Sequence, residues 1–187
     1  MRKYYSELEN LLVKANNSRL TSLVQELLLD NRDYGLENER LKEEQNYLST
    51  FIDPITGLYN KNLLSKVRNC SSLFLLSIDN LDNYDESEKK EILRNVSTIL
   101  FNNTRQIDFL CRYSEKEFLI AFIQCDLEIA ANRLYEIKNL IQGSMDSIKI
   151  SVGGSVVNPK DSLDIAINRA NEAKNLGDNN PKIKFYK

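Results

Sequence analysis

"RYSEKEF", residues 112–118, lies between two apolar runs, "DFLC" at 108–111 and "LIAF" at 119–122. Strand, short polar tip, strand predicts a β-hairpin. Tips of this length usually carry Gly, Asn or Asp, because one or two residues must adopt positive φ. Here the tip is Ser114-Glu115-Lys116, without a glycine. It is either an ordinary solvated turn or the remnant of a site whose residues have been replaced.

Outward from the hairpin, strand and helix patterns alternate. "NKNLLSKVRN" (60–69) reads as a helix and "SLFLLSID" (72–79) as a strand. Ile92, Leu93, Val96, Ile99 and Leu100 step along one helical face, as do Leu127, Ala130, Leu134, Ile137 and Ile141. "SIKISVGGSVV" (147–157) is a strand whose glycine pair predicts a bulge or a close backbone approach. Leu163, Ile167 and Ala170 mark a third helix, and "KIKFYK" a terminal strand. The order β-α-β-β-α-β with flanking helices predicts an α+β fold: a palm-like antiparallel sheet with helices packed on one side. Such a sheet brings Ser77–Asp79, at the end of its first strand, close to Ser114–Glu117 at the hairpin tip.

Before residue 51 the pattern differs. Val13, Leu20, Leu27, Tyr34, Leu41 and Leu48 recur every seven residues, the period of a helix seam facing a partner. The intervening positions are mixed: Leu23 and Phe51 are apolar, Asp30, Glu37 and Glu44 are not. Asn16-Asn17-Ser18 and Gly35 are weak points in a continuous helix. Two or more helices are expected, the last from about Leu36 to Leu48, ending before Asp53-Pro54. Residues 1–50 thus read as a helical region and 51–187 as the domain. The helices either pair in a homodimer or pack on their own domain.

Composition narrows the classes of function. The 187 residues carry 25 Lys+Arg against 27 Asp+Glu, a net charge of −2, so no broad basic face recruits nucleic acid. There is no histidine, which removes the commonest general base and metal ligand. Cys70, Cys111 and Cys125 are scattered, without CxxC spacing, and read as free buried thiols. No apolar run is long enough to span a membrane and no signal-peptide core is present, so a cytoplasmic location is expected.

The motifs then resemble a known family. "DPITGLYNKNLL" (53–64) is similar to the DPLTGLYNR opening of GGDEF domains, the bacterial diguanylate cyclase family. "RYSEKEF" falls where that family has RYGGDEF, "KISVGGSVV" matches its central strand, and "ANEAKNLGDNN" (170–180) resembles its ALYxAKxxGRN tail. The four motifs stand in register over residues 51–187. By this resemblance, the two carboxylates that hold divalent metal in a cyclase correspond to Ser77 and Lys116. A hydroxyl substitutes poorly for a carboxylate at a Mg²⁺ site, and an ammonium repels the ion. The motif glycines that admit substrate have become Ser114 and Glu115, with a side chain where a polyanion would sit. The guanine-reading Asn aligns with Asp85, a lysine-bearing position with Asp82, and part of the following loop is missing. Lys174 survives as a weak phosphate ligand, whereas the basic residue after the tail glycine is Asp178. Asp79 and Glu117 remain, and a shift of one residue could bring Glu115 or Glu117 toward Asp79 to rebuild a weak metal site. The resemblance therefore implies a catalytically inactive member, with no metal site and no cofactor.

One further feature matches. Arg105-Gln-Ile-Asp108 is an RxxD, with five residues between Asp108 and the first motif position. That is the family's spacing for an inhibitory site that binds cyclic di-GMP. An Arg fork can donate to guanine O6 and N7, and an Asp can accept from guanine N1–H and its amino group. Arg133, on the next helix, is the candidate second arginine. Two functions are expected to compete: a cyclic di-GMP receptor acting on a protein partner, and a nucleotide-independent interaction or scaffold module.

Overall fold

The computed structural model describes residues 18–145, 147–175 and 182–184, with the backbone alone for 18–33, 48 and 182–184. Helix α1 runs without a break from Ser18 to Phe51. This corrects the expectation of a break at Gly35. A helical glycine costs only about 1 kcal/mol against alanine, and the Leu, Glu, Lys and Gln residues around it are strong helix formers. Tyr34 and Leu41, seven residues apart, are 71% and 49% exposed. Val13 and Asp178 lie outside the described residues, as do the side chains of Leu20, Leu27 and Leu48. The chain divides into two compact units, Met1–Leu48 and Ser49–Lys187.

The second unit holds a six-stranded sheet in the order β1-β3-β4-β2-β5-β6. Its strands are β1 (Tyr59–Asn60), β2 (Cys70–Ile78), β3 (Phe109–Arg112), β4 (Glu117–Ile123), β5 (Ile150–Val156) and β6 (Lys182–Lys184). The central pairs β3/β4, β4/β2 and β2/β5 are antiparallel. The edges β1/β3 and β5/β6 are parallel, so the sheet is mixed rather than purely antiparallel. "NKNLLSKVRN" supplies only a short 3₁₀ helix, Lys61–Lys66, capped by the Asn60 side chain on the Asn62 amide. The three amphipathic patterns form α2 (Glu86–Asn103), α3 (Leu127–Ser144) and α4 (Leu163–Lys174).

Helices cover both faces of the sheet, which overturns the one-sided packing. Phe74, Leu76, Ile78, Phe118, Ile120 and Phe122 face α2 and α3, where Val96, Leu100, Leu134 and Ile137 are buried. The alternate residues Leu73, Leu75, Leu119 and Ala121 lie against Ile167 and Ala170 of α4. The physical cause is visible in "LFLLSI": a central strand apolar on both faces must be covered on both. Gly153 lets α4 approach, because a Cβ there would lie 2.1 Å from the Ala170 carbonyl oxygen and 2.2 Å from the Lys174 amide nitrogen.

Candidate functional site

The hairpin tip closes without glycine. Tyr113 and Ser114 donate their amides to the Glu117 carbonyl at 2.8 and 3.2 Å, and no tip residue has positive φ. Arg112 holds the tip from below. Its Nε donates to the Ser114 carbonyl at 3.2 Å and its Nη2 to the Glu115 carbonyl at 2.9 Å. Its Nη1 reaches both Asp53 oxygens, at 3.2 and 3.1 Å. Asp53 in turn accepts from the Ile55 and Thr56 amides and the Thr56 hydroxyl, in a turn that Gly57 completes at φ 71°. Burial pushes the Asp53 carboxyl up, but the Thr56 bonds and the Arg112 charge outweigh it and hold the group below its ordinary value. The DPITG turn and the hairpin are thereby one unit.

The end of β2 meets the start of β4, with Ser77 opposite Glu117 on one side and Ser151 on the other. Ser77 is buried. The surviving groups are joined to one another. Glu117 accepts from Ser114 Oγ at 2.8 Å and forms an ion pair with Lys174. Burial raises the Glu117 carboxyl, yet the bonds from Lys174 and Ser114 prevail and leave it lowered. Asp79 accepts from Ser151 Oγ at 2.7 Å. Lys116 pairs with Asp82 at 3.3 Å on the exposed rim. Asp85 caps α2: its carboxylate accepts from the Ser87 and Glu88 amides at 2.8 Å, and the Glu88 carboxylate accepts from the Asp85 amide at 3.0 Å. Among the described residues, no group of three or more acidic or cysteine side chains is arranged around a metal position.

The RxxD segment is a tight turn at the end of α2. Arg105 and Asp108 are joined twice, Nε to Oδ2 at 3.0 Å and Nη2 to Oδ1 at 2.7 Å. Asp108 also accepts from the Arg105 amide at 3.1 Å and the Ile123 amide at 3.1 Å, with its side chain fully buried. Arg105 Nη2 donates further to the Ile123 carbonyl at 2.9 Å, and the side chain stays 46% exposed. Arg133, with Glu136 at 3.5 Å, lines a small recess with Arg105, Asp108 and Cys125. Of the cysteines, Cys111 is buried while Cys70 and Cys125 are only partly so. Burial pushes the Cys70 and Cys111 thiols up to about 12.

The expected site residues fall into two groups. Ser77, Asp79, Ser114, Glu117 and Lys174 come together at the strand ends, and Arg105, Asp108 and Arg133 come together at the α2 turn. The pairing of Lys174 with Glu117 was not foreseen, because their 57-residue separation carries no local signal. Asp85 was read only as an aligned site position, although Asp85-x-x-Glu88 carries the spacing of a capping box. Lys138 was also missed. It is almost fully buried in α3, where burial lowers its ammonium and the Asp79 charge raises it.

Known structures share this architecture. The coiled coil and GGDEF domain of DgcB from Caulobacter crescentus, in complex with c-di-GMP, superposes with a TM-score of 0.71 at 22% identity, covering 84% of this chain and 99% of that one. The S helix-GGDEF-EAL portion of Vibrio cholerae LapD (apo) gives 0.68 at 16% identity, over 82% of this chain and 41% of that one. Diguanylate cyclase SiaD of Pseudomonas aeruginosa, in complex with its activator SiaC, gives 0.59 at 19% identity, over 98% and 80%. No curated protein matches the chain. The diguanylate cyclase, GGDEF domain family matches residues 50–180, more than half of the sequence, and the chain belongs to the GGDEF family.

Proposed function

We propose that this GGDEF protein signals by binding rather than by turnover, with residues 1–50 as a helical dimerisation arm and 51–187 as a catalytically inactive domain. The observation that carries this reading is the Lys174–Glu117 ion pair, in which the surviving phosphate ligand and the surviving motif carboxylate neutralise each other. The residues present do not fit a divalent cation: Ser77 is a buried hydroxyl, Lys116 an ammonium, and Asp79 is engaged by Ser151. The retained binding surface is the turn of Arg105 and Asp108, and its ligand is cyclic di-GMP. Of the two motif side chains, Arg105 is the one open to solvent, whereas that of Asp108 is fully buried. The DgcB structure holds c-di-GMP and the SiaD structure an activator protein, so both ligand and partner binding have precedent in the fold.

One observation favours the second reading, a nucleotide-independent interaction module. Both Asp108 oxygens are already occupied, so the turn is complete without a ligand. Two measurements decide. Protein incubated with GTP and Mg²⁺ is expected to form no cyclic di-GMP; product that disappears on Glu117→Ala would overturn inactivity. Calorimetry with cyclic di-GMP is expected to show about micromolar affinity, near −8 kcal/mol. Arg105→Ala should cost about 2–3 kcal/mol and Arg105→Lys nearly as much, because an ammonium lacks the planar fork. Lys174→Ala should change little. Equal affinity in wild type and Arg105→Ala, or no heat at all, leaves the interaction module.

A further inference from the structure

Arg105 and Asp108 form a wall shared by two recesses of very different size. On one side, Asn103, Cys125, Ile129 and Arg133 surround a space of about 70 Å³. On the other, Ile52, Leu58, Tyr59, Phe101, Gln106 and Leu110 surround a cavity of about 550 Å³. Small-molecule sites run from about 300 to 1,000 Å³. The first recess has room for a few waters; the second has room for a purine.

We propose that the guanine base of a bound cyclic dinucleotide enters the larger cavity, between the α2 turn and the Tyr59 strand, and not the recess beside Arg133. The proposal rests on the receptor reading above and relocates its ligand. Three observations carry it. Phe101, an aromatic side chain on the cavity wall, is 68% exposed, and covering it with a flat apolar face removes that surface from water. Tyr59, also on the cavity wall, packs parallel against Phe109, with ring centroids 5.7 Å apart and planes 4° apart, so its ring is held in place without a ligand. The polar groups match an acceptor edge. Asp108 is saturated and cannot take guanine donors. Arg105 uses Nε and Nη2 on Asp108 and Ile123, which leaves Nη1, and the Gln106 amide adds a second donor. Guanine O6 and N7 accept from such a pair. Recognition in this cavity therefore depends on ring stacking and on an acceptor edge, with Arg133 outside it.

Calorimetry of the full-length chain with cyclic di-GMP tests this. Phe101→Ala is expected to weaken binding about tenfold or more, the worth of one stacked base. Phe101→Tyr, which keeps a ring, should restore it, and Arg133→Ala should change affinity by less than about threefold, a screened long-range effect. Phe101 is largely exposed, so its substitution leaves the core intact, and unchanged thermal melts check that. Binding lost in Arg133→Ala but kept in Phe101→Ala would place the base on the Arg133 side and overturn the proposal while the receptor reading stands. Absence of binding by the wild type removes the receptor reading and this one with it.

Discussion

At Lys174 and Glu117, side chains only 10% and 18% exposed face each other across the helix-to-sheet junction. Removing one charge strands the other in a half-dry place, where the loss exceeds what the intact pair contributes. Lys174→Met is expected to destabilise the domain by about 2–3 kcal/mol at neutral pH, measured by urea unfolding. The pH dependence has a fixed sign. The folded Glu117 carboxyl lies below its ordinary value, so its contribution is complete above the ordinary carboxylate range and is lost as pH falls through the lowered folded value. The gap between wild type and Lys174→Met should therefore close as the solution is acidified through that range. A gap that stays constant into acid would mean the lysine acts through its packed stem and not through the ion pair. Lys116 and Asp82 make the opposite case: exposed on the rim, their pair contributes little.

Helix α4 owes its position on the sheet to one missing side chain. A Cβ at Gly153 would strike backbone atoms of Ala170 and Lys174, and backbone cannot rotate aside, so the helix must move as a body. Gly153→Ala is expected to cost about 3 kcal/mol, at the upper end for overpacking. Gly143, in α3, has nothing within 4 Å of an added Cβ. Gly143→Ala should stabilise by up to about 1 kcal/mol through helix propensity. Chemical unfolding of the two variants side by side checks the contrast; equal effects would mean that α4 is free to slide on β5. The hairpin shows the converse device. Arg112 accommodates a tip without glycine by donating to two of its carbonyls while anchoring on Asp53.

For the whole molecule, the exposed apolar positions of α1 call for a cover. Tyr34 and Leu41 share one seam of the helix by their spacing and are largely exposed within a single chain. A second copy of the chain is the occupant that the seven-residue period favours. The full chain is expected to sediment as a dimer at tens of micromolar, and Tyr34→Asp with Leu41→Asp to yield monomer, since each unpaired charge in a seam costs several kcal/mol. A monomeric mass for the wild type would reject the seam. No helix among the described residues is long and apolar enough to cross a membrane.

The α+β class, the order of elements and the three amphipathic helices were determined by the sequence itself, because the periods of Val96, Leu134 and Ile167 are local properties of the chain. The palm-like element order and the family resemblance placed Ser77 beside the hairpin, but the register that sets it opposite Glu117 is a tertiary outcome, because β2 and β4 are apolar on both faces and carry no alternation. Continuity of α1 through Gly35 was not legible, since propensity weakens a helix at one residue without saying whether its neighbours sustain it. Two-sided packing is written in the doubly apolar "LFLLSI", whereas the element order alone favours a one-sided sheet. What only the tertiary structure decided is which charges meet. Lys174 with Glu117, Arg112 with Asp53, and the closure of Asp108 on the Ile123 amide join residues far apart in the chain. Electrostatic partnership depends on distances of a few ångströms that no periodicity encodes, so the candidate residues could be named from sequence while their engagement with one another could not.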